Sequence, residues 1–296
     1  MKTVLGKNVQ NDITGESWEI STVEGDVSVV SNGKLSGISL QELIDKNPED
    51  LLGKSVFDRF GKEFPILIKF IDAKLDLSIQ LHPNDKLAKE RHNSFGKTEM
   101  WYIMDADDDA NLIVGFNKNV SKEEYAESIE NNKLLELLNY ENVSEGDTFF
   151  INTGKIHAIG AGVLLAEIQQ TSDITYRVFD FNRRDKNGNL RELHTEQALD
   201  AIDYEKKDDF RVHYSNKSDE VNEMVQCPYF TTKFLNLLGD FEQDVSQRDS
   251  FTIYMCVGGS ASVENESGTE TINNGETLLI SANSNHIKIK TQEAKL

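Results

Sequence analysis

From position 75 to position 82, apolar and polar residues alternate without a break. Leu75, Leu77, Ile79 and Leu81 stand against Asp76, Ser78, Gln80 and His82. Only an extended strand sorts such a pattern onto two faces, because strand side chains point alternately to opposite sides. Strand-like runs recur at 66–71, 99–103, 112–116, 147–151, 163–169 and 175–181. Each is short, rich in β-branched and aromatic residues, and bounded by turn chemistry such as Pro83-Asn84-Asp85, the Asp-rich stretch 105–109 and Asn187-Gly188-Asn189. Many short strands predict a mainly β chain, built as a barrel or sandwich.

One insertion, at about 121–139, reads as helical. Ser121 and Glu124 form a capping-box pattern, with Tyr125, Ile129, Leu134, Leu135 and Leu138 following at helix-like spacing and a break near Asn131-Asn132. A second short helix is expected from Thr195 through Ala198, Leu199 and Ile202. The polar stretch from Asp203 to Glu223 reads as an interdomain linker, placed at 206–223 between a domain of residues 1–205 and a second of residues 224–296. Strands resume at 229–237, 251–256, 277–280 and 287–291. The chain also echoes itself. Gly146-Asp147-Thr148 precedes three apolar residues and then His157, and Gly275-Glu276-Thr277 precedes three apolar residues and then His286, with identical spacing. Two similar β-barrels in one chain would produce this.

A formal charge of −20 argues against nucleic acid and anionic membranes as partners. No run approaches the roughly 18 to 20 apolar residues of a membrane span. Residues 1–6 lack the apolar core of a secretory signal. The two cysteines, Cys227 and Cys256, have no metal-type spacing and are too few for a disulfide framework, which fits a reducing cytoplasm.

Chemistry concentrates where the alternation ends. Gln80 and His82 share one strand face. A hairpin away, Lys97, Glu99 and Trp101 share another, and His157 follows a strand and the small-residue turn Asn152-Thr153-Gly154. Two histidines and one carboxylate are an ordinary zinc ligand set with a position left open, and Gln80 can add a neutral oxygen. Such a centre keeps a net charge of about +1, suited to polarising a carbonyl or hydroxyl oxygen. Glu167 and Arg177 fall on strand faces that can meet the same lumen. A strand arginine there is costly unless it faces a ligand or is paired, for instance with Glu167 or Asp180. His92, His194 and His213 lie in polar surroundings and read as solvated. His286 lacks ligand partners and reads as a surface residue of a metal-free second barrel.

The ordered motifs Ser78-Ile79-Gln80-Leu81-His82-Pro83, Gly96-Lys97-Thr98-Glu99-Met100-Trp101-Tyr102, Gly154-Lys155-Ile156-His157-Ala158 and Tyr176-Arg177-Val178-Phe179-Asp180 resemble the type I mannose-6-phosphate isomerases of the cupin superfamily, in their short bacterial form. Gly15-Glu16-Ser17-Trp18-Glu19 also fits. The chain departs at Asn152, where cupins often carry Pro. The resemblance implies a double cupin, that is two jelly-roll barrels, with a helical insertion. It also implies one zinc per chain on Gln80, His82, Glu99 and His157, with Arg177 as a catalytic arginine.

The reaction implied is the interconversion of mannose 6-phosphate and fructose 6-phosphate through an enediol. Glu167 and Lys97 are the candidates for the proton-transfer base. Arg177, Arg183, Arg184, Lys97 and Lys155 are the local cations for a phosphate. A cupin oxygenase using ferrous iron is the alternative enzyme, since the same three ligands suit that metal. A non-catalytic sugar-phosphate sensor is the alternative from another class; the presence of Lys97 and Arg177 argues against it.

Overall fold

Ile79 and Leu81 sort to one side of their strand and Gln80 and His82 to the other, and the architecture follows from what covers each side. The computed structural model of the chain describes residues 1–8, 15–184 and 187–296. They form two compact units, one of residues 71–212 and one of residues 1–70 together with 213–296.

In the 71–212 unit, one sheet sets the strands Val163–Gln170, Glu99–Ala106 and Thr148–Ile151 side by side. The other runs Tyr176–Phe179, Ile79–Leu81, His157–Ile159, Asn111–Phe116, Leu138–Asn142. A core of Trp101, Ile103, Leu112, Val114, Phe149, Ile151, Ile159 and Leu165 joins the inner faces of the two sheets. The opposite face of the second sheet, with Ile79, Leu81, Ile113, Ala158, Tyr176 and Val178, is buried under Tyr125, Leu134, Leu137 and Ala198 of the helical segments. Ile79 and Leu81 therefore face the helices and Gln80 and His82 the lumen, whereas Leu77 packs against the lumen-side core. A one-residue slip would forfeit about 1.5–3 kcal/mol for each apolar side chain exposed, so the register is strongly specified.

The strand itself is shorter than the alternation predicts. Only Ile79–Leu81 is paired, with Tyr176–Phe179 on one side and His157–Ile159 on the other. Leu75 is exposed, and Asp76 anchors a turn by accepting from the Ala161 amide at 2.8 Å. Phe179 does not share a face with Arg177. A register shift between the two lets Phe179 join Tyr176 and Val178 against the helix-side core.

The helical insertion is present as Lys122–Glu130, capped by Ser121 Oγ, followed by a 3₁₀ turn at Leu134–Leu137. The chain breaks between them at Asn132, which has φ 57°. The cap is one-sided: Glu124 pairs with Lys118 at 2.5 Å. The second helix spans Thr195–Ala201.

The unit boundary differs from the one drawn on sequence. Leu40–Lys46, Pro48–Leu52 and Lys54–Phe60 are helices that belong with the C-terminal strands. Asp249 accepts from the amides of Lys54 and Ser55 at 2.8 and 3.0 Å, and the rings of Phe64 and Phe251 lie 4.7 Å apart. The expected linker is also structured at its start. Phe210 is buried, and the Val212 amide donates to Thr148 at 2.8 Å.

The C-terminal strands enclose an apolar core of Leu235, Leu237, Tyr254, Ile272, Ile287 and Ile289. The internal echo is structural: Thr148–Ile151 and Thr277–Ile280 are both four-residue strands, and the next strand opens on His157 in one copy and His286 in the other. The chain is thus mainly β, a double cupin with a helical insertion.

Candidate metal centre

His82 leaves the Ile79–Leu81 strand at its C-terminal end, and its carbonyl accepts from the Gly154 amide at 2.8 Å. That bond ties His82 to the turn that feeds His157. The turn needs glycine, because Gly154 has φ +80° and a Cβ there would lie 2.4 Å from the Ala201 carbonyl oxygen. Glu99 opens a strand of the first sheet and His157 opens its own strand in the second, so the carboxylate and imidazoles converge from opposite walls.

All three side chains are buried. Each histidine directs Nδ1 at a backbone carbonyl 2.8 Å away, Ile174 for His82 and Lys155 for His157. A carbonyl can only accept, so Nδ1 carries the proton and Nε2 keeps its lone pair. Both Nε2 atoms face Glu99, one at 3.5 Å from each carboxylate oxygen. That is longer than a hydrogen bond. Burial pulls the His157 imidazole down to about 4, with the Lys155 carbonyl opposing and Lys97 assisting, so it is neutral at pH 7. Among the described residues, no hydrogen bond reaches His157 Nε2. Two imidazole Nε2 atoms aimed at one carboxylate are the arrangement a divalent cation satisfies, and the three ligand atoms lie within 4.8 Å of one another. His82, Glu99 and His157 therefore fit a metal ion.

Gln80 stands directly across the strand pair from His157. Its Oε1 accepts from Ser78 Oγ at 3.2 Å.

A family model for the phosphomannose isomerase type I catalytic domain matches residues 6–128, and one for the mannose-6-phosphate isomerase cupin domain matches residues 220–296. The chain is 37% identical over 258 residues to mannose-6-phosphate isomerase ManA of Bacillus subtilis, covering 86% of this chain and 79% of that one. The family is settled by that match. This chain belongs to the type I mannose-6-phosphate isomerases. It is 38% identical to the Streptococcus mutans mannose-6-phosphate isomerase over 78% of this chain and 72% of the relative. The crystal structure of a B. subtilis mannose 6-phosphate isomerase superposes with a TM-score of 0.89 at 32% identity, over 99% and 92% of the two chains. A phosphomannose isomerase variant from Salmonella typhimurium, 16% identical, shares the fold with a TM-score of 0.79 over 99% and 93%.

Around the centre of this isomerase, Lys97 and Glu167 are both buried. Lys97 Nζ lies 3.4 Å from Glu99 Oε2. Glu167 Oε2 accepts from Trp101 Nε1 at 2.9 Å, and the Trp101 ring meets the His157 ring edge-on at 5.3 Å. Trp101 was legible on the face it shares with Lys97 and Glu99, but its tie to Glu167 depends on the pairing of Trp101 with Glu167 across the two strands.

Arg177 stands opposite Gln80, and its Nε donates to Ser78 Oγ at 3.3 Å. Among the described residues, Arg177 makes neither of the alternative salt bridges, to Glu167 or to Asp180. Glu167 is held by Trp101, and Asp180 is engaged by Arg183 and Arg191. Two expected phosphate cations are committed elsewhere: Lys155 is buried against Asp203 at 2.6 Å, and Arg183 against Asp180.

His92 and His194 are not simply solvated. His92 Nε2 meets Tyr176 Oη at 2.9 Å, and His194 Nδ1 accepts from the Arg177 amide at 3.0 Å. Sequence reasoning also passed over Gln170, whose Oε1 accepts from the Thr98 amide at 2.9 Å and whose Nε2 donates to Asp85 at 3.0 Å. It steadies the strand carrying Lys97 and Glu99. The signal was the polar pair Gln169-Gln170 closing the strand Val163–Gln170.

Proposed function

We propose that the chain interconverts mannose 6-phosphate and fructose 6-phosphate in the cytoplasm, with one zinc ion on His82, Glu99, His157 and Gln80. A divalent cation there supplies Lewis-acid stabilisation of the negative charge that develops on the sugar oxygens. The protein supplies the rest. A proton leaves C2 of the open-chain aldose, an enediol forms, and a proton returns at C1. The reaction is an internal redox exchange that needs no outside oxidant.

Glu167 and Lys97 are the two groups beside the centre able to carry that proton. Trp101 fixes Glu167 by hydrogen bond, and Lys97 sits against Glu99. Arg177, on the strand opposite Gln80, is the electrostatic partner for oxygen charge in the transition state. Arg177, Arg184 and Lys97 remain as the cations for a phosphate. In support of the compartment, both cysteines are free, and no described helix is long and apolar enough to cross a membrane.

The observation that carries this reading is the convergence of two histidine Nε2 atoms on Glu99, each 3.5 Å from a carboxylate oxygen, in a chain whose relatives are mannose-6-phosphate isomerases. The test is a coupled assay that follows fructose 6-phosphate formed from mannose 6-phosphate, before and after chelation and after zinc is returned. No product at high enzyme concentration would sink the assignment. Turnover unchanged after the metal is stripped would sink the metal's part in it.

A further inference from the structure

Arg177 lies on Tyr176–Phe179, an edge strand of its sheet, whose one strand neighbour among the described residues is Ile79–Leu81. Edge position leaves one row of backbone groups needing partners. A register shift just past Arg177 disrupts the ladder further, as a bulge does. The backbone that aims this arginine therefore needs support from outside the sheet.

His194 supplies that support on both sides of the same residue. Its Nδ1 accepts from the Arg177 amide at 3.0 Å, and its own amide donates to the Arg177 carbonyl at 2.7 Å. Because the Arg177 N–H and C=O both point to His194, Arg177 and Gln80 form a non-hydrogen-bonded pair, the type with the closer side chains. The contacts agree. Arg177 Nε donates to Ser78 Oγ, which donates to Gln80 Oε1. The Glu192 carbonyl, two residues from His194, accepts from the other end of the guanidinium at 3.1 Å.

We infer that His194 is a positioning residue: its unprotonated Nδ1 locks the peptide of Arg177 and so the direction in which the guanidinium is presented. This rests on Arg177 acting in the isomerisation. The imidazole must be the Nε2–H tautomer, since Nδ1 receives a proton from an amide. Protonation of His194 would replace the acceptor with a donor and free the Arg177 peptide.

The surroundings favour the neutral ring. Burial is the main influence, with Glu192 opposing it and Arg177 and the neighbouring His92 adding to it; together they lower the imidazole below its ordinary value. The ring of Tyr176 lies 6.2 Å away, and Glu196 is the acidic residue in the first turn of the following helix. A folded pKa below the unfolded one means the lock holds at neutral pH and is lost as pH falls through the lowered value.

His194→Asn and His194→Leu separate the roles. Asn places Oδ1 where Nδ1 stood and does not titrate, whereas Leu fills similar space without an acceptor. Rates are measured from about pH 5 to 8, the window of histidine chemistry, with metal content and thermal melting recorded for each variant. Leu should lower kcat by about tenfold with KM within about twofold, the signature of an interaction that matters mainly in the transition state. Asn should keep wild-type kcat at neutral pH and carry its acid limb to lower pH. In an Arg177→Ala background, His194→Leu should cost nothing more.

A Leu variant with normal kcat, beside an impaired Arg177→Ala, overturns the inference and leaves the reading of Arg177 standing. Normal rates in both overturn the reading itself. Should the Leu variant fail to fold, the Asn variant decides: an unmoved acid limb overturns the inference.

Discussion

Gln80 and His157 stand directly opposite each other on antiparallel strands, both on the lumen side of their sheet. The pairing brings the motif around position 80 and the one around position 157 into a single site. It also holds the two histidines at a fixed separation, with ring centroids 4.8 Å apart.

Purified protein should carry close to one divalent ion per chain, measured by elemental analysis. His82→Ala or His157→Ala should empty the site, because a zinc centre with a single histidine and one carboxylate is poorly held. Gln80→Ala should retain metal with weaker binding. Full occupancy in either histidine variant would remove that residue from the ligand set.

Arg177→Ala should lower kcat by about a hundredfold, within the range for losing a preorganised charge partner, while KM changes little. Arg177→Lys should recover little of this, since a point charge does not reproduce a planar fork that spans Ser78 and the Glu192 carbonyl. A raised KM with normal kcat would instead assign Arg177 to the phosphate.

Trp101→Phe removes the donor to a buried carboxylate while keeping most of the ring. The loss should destabilise the fold by about 1.5–3 kcal/mol, the usual worth of a hydrogen bond to a charged group, and reduce turnover through misplacement of Glu167. Chemical denaturation and steady-state kinetics read the two effects separately. Unchanged stability and turnover would mean that the 2.9 Å bond contributes nothing.

His286→Ala should change neither metal content nor kcat. The residue is exposed at the start of its strand, although its spacing copies that of His157. A large loss of either quantity would reveal a role for the second barrel in the chemistry.

Asp180 sets a pH dependence of stability. Burial raises its carboxyl, but hydrogen bonds from Arg191 and Arg183 outweigh this and hold it below the ordinary value. A carboxyl depressed in the folded state stabilises the fold above its unfolded pKa of about 3.9, and that stabilisation is lost as pH falls through the lower folded value. Asp180→Asn should therefore melt at lower temperature than wild type at pH 7, with the gap closing as pH falls below about 4. A gap that stays constant into acid would show that the ion pair is not its source.

Much of this was readable in one dimension. Alternation over 75–82 assigned Gln80 and His82 to one face, since the strand period is two and any other register exposes Ile79 and Leu81. The Ser121 cap and the break at Asn131-Asn132 located the helical insertion, because capping and left-handed backbone are local chemistry. The echo between 146–157 and 275–286 marked a repeated strand pair. The helices between 40 and 60 went unread, although the Ser39–Glu42 cap and Pro48 at a helix start are local signals for them.

Long-range contact decided the rest. Both faces of the Ile79–Leu81 strand are covered, one by helices and one by the lumen, and no local pattern tells which neighbour covers which. The grouping of residues 1–70 with the C-terminal strands, the commitment of Lys155 to Asp203, and the hold of His194 on Arg177 join residues distant in sequence or across an edge. Sequence determined what each side chain can do and which way its strand turns it. Only the folded chain decided which partner each side chain meets, because hydrogen bonds and charges act over a few ångströms in space, whatever the distance along the chain.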